Sequence, residues 1–230
     1  MSAPASRPPV AATSAVVMAL LPLMAVVLFV FLISGLAILV VPLHVHQGLG
    51  LGTFVVGLVS GTQFAASLIS RVWSGRYADS RGAKRAVGAG LVANAIAGLL
   101  HLLSLRFVDA PVTSVAILLL GRALLGGAGG FIITEAMSWG LALVGTQHAG
   151  KVIAWIGTAL YAAFAVGAPA GSALYAPYGF LAIALATITV PLAGLLLIIP
   201  LNPVGPLVRA PPPLANGRRC RLAPWDRVGF

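Results

Sequence analysis

Charged side chains are scarce in this 230-residue chain: they make up 8% of it, and only four are acidic. Soluble domains carry about 25% charged residues. Apolar residues reach 60%, and the mean hydropathy is +1.04. This composition argues against a soluble enzyme or a secreted scaffold. The basic residues lie between apolar runs and form no dense patch, so nucleic acid is not an expected partner.

Cysteine is nearly absent. Cys220 is the single cysteine, which allows no intrachain disulfide and no cysteine cluster for a metal. His44 and His46 have the spacing of a metal pair in extended chain, but no carboxylate or cysteine stands nearby, and interfacial histidines are the favoured interpretation. The sequence also lacks a serine-histidine-acid set, paired carboxylates and a phosphate-binding loop. We therefore expect no metal, no cofactor and no enzymatic activity.

Long apolar runs are abundant instead. About 20 helical residues cross the hydrocarbon core of a bilayer, and six runs are long enough. None alternates apolar and polar residues as a barrel strand does. The sequence predicts an all-α membrane protein with six transmembrane helices in residues 15–200, at residues 15–43, 51–73, 86–105, 112–133, 152–175 and 179–200. The first run is too long for a signal-peptide core, so we expect it to be a retained span.

The basic residues predict the orientation, because loops rich in Lys and Arg stay in the cytoplasm. With a cytoplasmic N-terminal tail (1–14), 12 of the 14 basic residues lie inside and only Arg106 lies outside. Six crossings then place the tail 201–230 in the cytoplasm, where its Arg/Pro-rich composition predicts disorder. We expect a multi-pass protein of the cell (inner) membrane, in contact with membrane lipids, with both termini cytoplasmic.

The cytoplasmic hairpin after the second run carries a dense set of glycines and charges. Gly82 permits the positive φ of a tight turn, Asp79 can pair with nearby cations or a helix N-terminus, and Gly75 permits close helix approach. An ordinary positive-inside loop is the alternative. The set is Gly75, Arg76, Asp79, Gly82, Lys84 and Arg85.

Arg122 lies within the fourth run. A guanidinium in hydrocarbon costs several kcal/mol, so Arg122 either faces a cavity or a partner, or it snorkels to the interface. Gly126 follows one helical turn later. Glu135 comes just past the predicted cytoplasmic end of this run, where it either joins Asp79 and the loop cations in a charge network or is an exposed helix-end carboxylate.

Two further features concern the interior of the spans. Gly167 and Gly171 lie four residues apart and share one face of the fifth predicted helix, while Pro169 between them bends it. The polar groups within the spans either line a cavity or form interhelical hydrogen bonds. These groups are Gln63, Asn94, His101, Thr158 and Tyr161.

These motifs resemble those of the major facilitator superfamily. The hairpin is similar to that family's pattern Gly-x-x-x-Asp-x-x-Gly-x-Lys/Arg-Lys/Arg, although Ser80 stands where the family usually has Arg. The segment from Gly121 resembles the Arg-x-x-x-Gly motif of proton-coupled members. The segment from Gly167 is similar to the Gly-Pro-x-x-Gly element of exporters, especially drug-proton antiporters. The resemblance implies that the hairpin is a conformational latch and that Arg122 takes part in coupling.

The resemblance covers about residues 15–200 and implies the N-terminal six-helix half of a twelve-helix transporter, whose substrate site lies between two halves. The abrupt composition of the tail suggests an out-of-frame extension in place of the second half. We expect proton-coupled efflux of a small organic solute such as a sugar or drug, with a second six-helix half or a homodimer as partner. The alternative is a non-transporting remnant or a partner subunit that binds another membrane protein. The first span has no Asp or Glu, so the proton-carrying residue stays unassigned.

Overall fold

The computed structural model describes residues 10–199, with the side chains of residues 10–13, 15, 76 and 78–81 left aside. This part of the chain is helical almost throughout and contains no strand. The predicted tail 201–230 lies outside it. The five long helices are α1 Val10–Leu43, α2 Thr53–Arg81, α3 Ala83–Ser104, α4 Pro111–Val144 and α5 Ala149–Ile198. A π-helical turn, His44–Gly48, continues α1, and 3₁₀ turns at Leu105–Phe107 and Thr146–His148 precede α4 and α5.

All five helices are long and apolar enough to cross a membrane, which confirms the predicted all-helical membrane fold. The number of separate helices differs from the six predicted runs. Helix α5 has 50 residues, about 75 Å at 1.5 Å per residue and roughly twice what one crossing needs. Gly179 interrupts it with a non-helical φ of 63° and ψ of −161°. The fifth and sixth predicted runs are therefore the two parts of α5 on either side of this kink.

The hairpin predicted between the second and third runs is mostly helix. Helix α2 continues through Arg81, well past the end of its apolar run, because a helix continues for as long as its backbone hydrogen bonds do. The chain reverses at Gly82, whose φ of 81° confirms the predicted positive φ. Gly145 makes the same kind of turn, with a φ of 85°, between α4 and α5.

The core is built around α1, which packs mainly along α5, while α4 packs along both α2 and α3. Apolar side chains of α1 such as Leu20, Val27 and Ile33 are fully buried. The outside is also apolar: Phe54 is 81% exposed and Leu68 is 69% exposed. A helix bundle with apolar residues both inside and outside suits a lipid surrounding, because lipid does not penalise exposed apolar side chains.

Candidate functional site

Arg122 is the buried charge at the centre of the candidate site. It lies in α4 and is only 2% exposed, so its side chain does not snorkel to the outside of the bundle. Its Nε and Nη1 atoms are buried and have no hydrogen-bond partner among the residues that the structure describes. A guanidinium keeps its charge at any physiological pH. The site therefore contains a buried cation with two nitrogens available for binding.

The imidazole of His101 lies against α4 at Gly121, one residue before this arginine. A Cβ built on Gly121, the residue before Arg122, would stand only 2.8 Å from His101 Cδ2, so the glycine makes room for the ring. His101 is fully buried in α3 and lies within electrostatic range of Arg122. Neither of its ring nitrogens has a hydrogen-bond partner within residues 10–199. Sequence reasoning counted His101 among several polar span residues without linking it to Arg122.

His44 continues this cluster toward the end of α1. Its ring stacks on Phe180 with 4.3 Å between centroids, and Phe180 meets His101 edge to face at 5.9 Å. His44 is only 6% exposed, because the first residues after the α5 kink cover it, and its position at the membrane interface stays a prediction. His46 is exposed, and its Nδ1 lies 3.0 Å from the carbonyl oxygen of Leu51. No group of three potential metal ligands occurs in the described part of the chain.

A layer of polar groups joins α1, α2 and α4 near Gly126. Gln63 Nε2 donates to Ser34 Oγ at 3.1 Å, which links α2 to α1. A Cβ built on Gly126 would collide with the backbone carbonyl of Gln63, so only glycine permits this approach of α2 to α4. Asn94 in α3 is also buried, and its Oδ1 has no partner in the described structure. Gly126 is thus a packing residue that brings α2 within reach of the Arg122 turn.

The predicted latch residues lie at the far end of the bundle. Lys84 Nζ donates to the carbonyl oxygen of Ile199 at 2.9 Å, which ties the start of α3 to the end of α5, whereas Arg85 is exposed. The side chains of Arg76 and Asp79 lie outside the described residues. No described atom lies within 4 Å of a Cβ built on Gly75, so the close helix approach predicted there is not seen.

The position of Glu135 differs from the prediction that it follows the end of the fourth helix, while its charge network with Asp79 and the loop cations stays a prediction. It lies inside α4, which continues to Val144, and it is fully buried, so it is not an exposed helix-end carboxylate. It is 13 residues from Arg122, about 20 Å along the helix axis. One turn before it, Phe131 meets Tyr77 of α2 edge to face at 5.3 Å. Glu135 therefore lies near the end of the bundle that carries the latch residues, whereas Arg122 and Gly126 lie at a different depth in the bundle.

The two glycines of the fifth predicted run both meet α1. A Cβ built on Gly167 would stand 2.8 Å from the Cα of Gly35, and one built on Gly171 would collide with the carbonyl oxygen of Leu36. Pro169 between them is exposed. The first part of α5 can approach α1 backbone to backbone only because these positions carry no side chain.

An open groove of about 740 Å³ runs along the other side of α5. Met137 of α4 forms part of its wall, and the rest comes from α5. Tyr161 is 72% exposed there, while the Thr158 hydroxyl donates to the carbonyl oxygen of Ala154 at 2.8 Å. The groove is therefore mainly apolar, with the Tyr161 phenol as an accessible hydrogen-bonding group.

The chain is similar in sequence to known membrane transporters. The family model described as Major Facilitator Superfamily matches residues 23–225. The chain is 41% identical over 174 residues to an uncharacterized MFS-type transporter of Salmonella typhimurium, which covers 75% of the chain and 45% of the relative. It is 41% identical over 170 residues to the uncharacterized MFS-type transporter YhhS of Escherichia coli, covering 74% and 42% respectively. A similar protein of Pseudomonas aeruginosa is 41% identical over 149 residues, covering 64% and 37%. The chain thus spans less than half the length of these relatives.

Proposed function

Because this chain belongs to the Major Facilitator Superfamily, we propose that it forms one six-span half of a proton-coupled exporter of a small organic solute, such as a sugar or a drug. The second wall of the solute pathway comes from another six-helix unit, since sites of this kind lie between two repeats near the middle of the membrane. That unit is either a second half or another copy of this chain. The activity is transport, with no enzymatic step.

Arg122 is the observation that carries the proposal. A buried cation whose Nε and Nη1 have no hydrogen-bond partner in the described part of the chain is costly in a membrane domain, and such residues are typical of substrate or ion pathways. Arg122 does not release its own proton. It attracts an ionised group of the second unit or of the solute. The attraction changes when that group gains or loses a proton. This dependence couples proton movement to the state of the transporter.

The groove beside α5 supports the placement of the solute. Its mainly apolar wall accepts the carbon skeleton of an organic molecule, and Tyr161 offers a hydrogen bond that orients it. The groove opens outward from the bundle, so a second six-helix unit placed against α5 would close it. The export direction rests on the similarity between exporter motifs and the segment that contains Gly167, Pro169 and Gly171.

The proposed latch lies at the cytoplasmic end of the bundle. Tyr77 packs on Phe131 and Lys84 binds the end of α5, so contacts at this end join α2 to α4 and α3 to α5. We assign Asp79 to the contact that stabilises one conformation of the full transporter. The orientation with both termini in the cytoplasm follows from the distribution of basic residues.

The experiment uses the full chain with a complementary six-helix half taken from a full-length relative. The two are co-reconstituted in proteoliposomes, and an imposed pH gradient drives uptake of lactose as a sugar probe or ethidium as a drug-like probe. We expect gradient-dependent accumulation of one probe in the complex and none with the chain alone. Arg122→Ala should abolish the gradient dependence, whereas Arg106→Ala, which removes an exposed arginine, should leave it unchanged.

Two outcomes would contradict the proposal. An assembled complex in which Arg122→Ala transports with unchanged dependence on the gradient would remove the arginine from coupling. A stable complex that transports neither these probes nor a wider panel of sugars and dyes would favour the alternative function, a partner subunit that binds another membrane protein without transport.

A further inference from the structure

We propose that Arg122 and His101 form a buried binding site for a small free anion of the size of formate or chloride. The site lies inside the bundle, between α3 and α4, and is separate from the groove beside α5. The inference does not depend on transport, because it concerns the folded chain by itself.

Arg122 and His101 bring together buried nitrogen atoms that lack hydrogen-bond partners in the described structure. Two guanidinium nitrogens of Arg122 and both ring nitrogens of His101 are buried without a partner in the described structure. Each neutral imidazole has one N–H donor, and an arginine has five. Buried polar groups are nearly always hydrogen-bonded, so a cluster of unpaired donors indicates that an acceptor belongs there. His44 Nε2, also unpaired, lies on the other side of the Phe180 ring contacts.

The positive charge of Arg122 has no carboxylate close to it among the described side chains. Two carboxylates have described side chains, Asp109 and Glu135. Glu135 is 13 residues from Arg122 within α4, about 20 Å along the helix axis, and Asp109 lies before the start of α4, 13 residues ahead of Arg122 in the sequence. Asp79 lies at the far end of α2, 16 residues past the point where Gln63 meets Gly126. Neutralising a buried guanidinium needs a negative charge in contact with it. A water molecule would accept from the N–H groups, but it would leave the charge in place.

Because Arg122 and His101 are buried, the anion that binds them is a small one that enters from solution. In the chain by itself Arg122 is 2% exposed and His101 is fully buried, so without a second unit or a transported solute only a small molecule can reach them. A small anion needs only transient opening of the helices. Guanidinium and imidazole groups are typical partners of carboxylate oxygens, which makes formate a suitable probe.

The test is the thermal unfolding of the full 230-residue chain, purified in detergent, at constant ionic strength with potassium formate exchanged for potassium gluconate. Gluconate has the same charge and is too large for a closed site. If the formate concentration is about ten times the dissociation constant, we expect the unfolding midpoint to rise by about 2–5 °C over gluconate. Arg122→Gln should abolish the rise, and Arg106→Gln, the exposed control, should keep it.

His101→Phe provides a second readout, because the phenyl ring fills the same space against Gly121 and Phe180 without an N–H group. We expect the formate concentration for half of the effect to rise about tenfold in this variant. If Arg122→Gln does not fold, His101→Phe decides the question. The proposal is overturned if the wild-type chain shows no difference between formate and gluconate, or if the folded variants respond to formate as the wild type does.

Discussion

The contact between α1 and α5 gives the sharpest stability prediction. An alanine methyl at position 171 would collide with the backbone carbonyl of Leu36, and backbone cannot move aside as a side chain end can. Gly157 lies in the same helix, but a Cβ built there meets nothing within 4 Å. Gly171→Ala and Gly157→Ala are therefore the same chemical change in one helix, with and without a steric conflict.

The magnitude follows from two opposing effects. Replacing a helical glycine by alanine stabilises the helix by about 0.5–1 kcal/mol. Overpacking a tight contact costs about 1–3 kcal/mol. We expect Gly157→Ala to raise the free energy of unfolding and Gly171→Ala to lower it, with a difference of about 1–3 kcal/mol. For a chain of this size that difference corresponds to about 2–12 °C in the unfolding midpoint.

The assay is thermal unfolding of the three purified chains in the same detergent, followed by far-ultraviolet circular dichroism. Opposite shifts of the two variants would support the backbone contact between α1 and α5. If both variants shift in the same direction by the same amount, α1 and α5 do not pack as closely at Leu36 as the structure shows, and the reasoning is refuted.

Three further predictions concern topology and transport. A cysteine that replaces Ser80 should be labelled only from the cytoplasm. A cysteine that replaces Gln47 should be labelled only from outside. External labelling at position 80 would reverse the proposed orientation. Asp79→Asn in the two-half complex should impair proton-driven transport while membrane insertion measured by fractionation stays intact, and unchanged transport would reduce the hairpin to a positive-inside signal. The reconstituted chain alone should show no proton-driven transport with or without Arg122→Ala, whereas robust transport would point to a homodimer.

The physical chemistry of the sequence was enough to predict a helical membrane domain. Apolar runs of membrane length leave the backbone no way to satisfy its hydrogen bonds in lipid except within helices. The turn at Gly82 was also predictable, because glycine adopts a positive φ without a steric penalty. The similarity of the hairpin and of the segment from Gly121 to known motifs led to the family, which the family model matches independently.

The lengths of the helices were less accessible from the sequence. An apolar run measures how much of a helix lies in hydrocarbon, but a helix continues for as long as its backbone hydrogen bonds do. The apolar runs therefore predict loops or span ends for the charged end of α2 up to Arg81 and for the part of α4 that contains Glu135, although both are helical. The kink at Gly179 similarly joins two predicted spans in one long helix.

The neighbours of Arg122 were decided only by the tertiary structure. The sequence showed that a guanidinium in a membrane span needs a partner or a route to the interface. His101, 21 positions away, lies near this guanidinium only because Gly121 lets α3 approach α4. His44 is covered inside the bundle because Phe180, far along the chain, stacks on it. Hydropathy depends on each residue and its near neighbours, whereas burial depends on which distant helix packs against it, and that depends on the whole bundle.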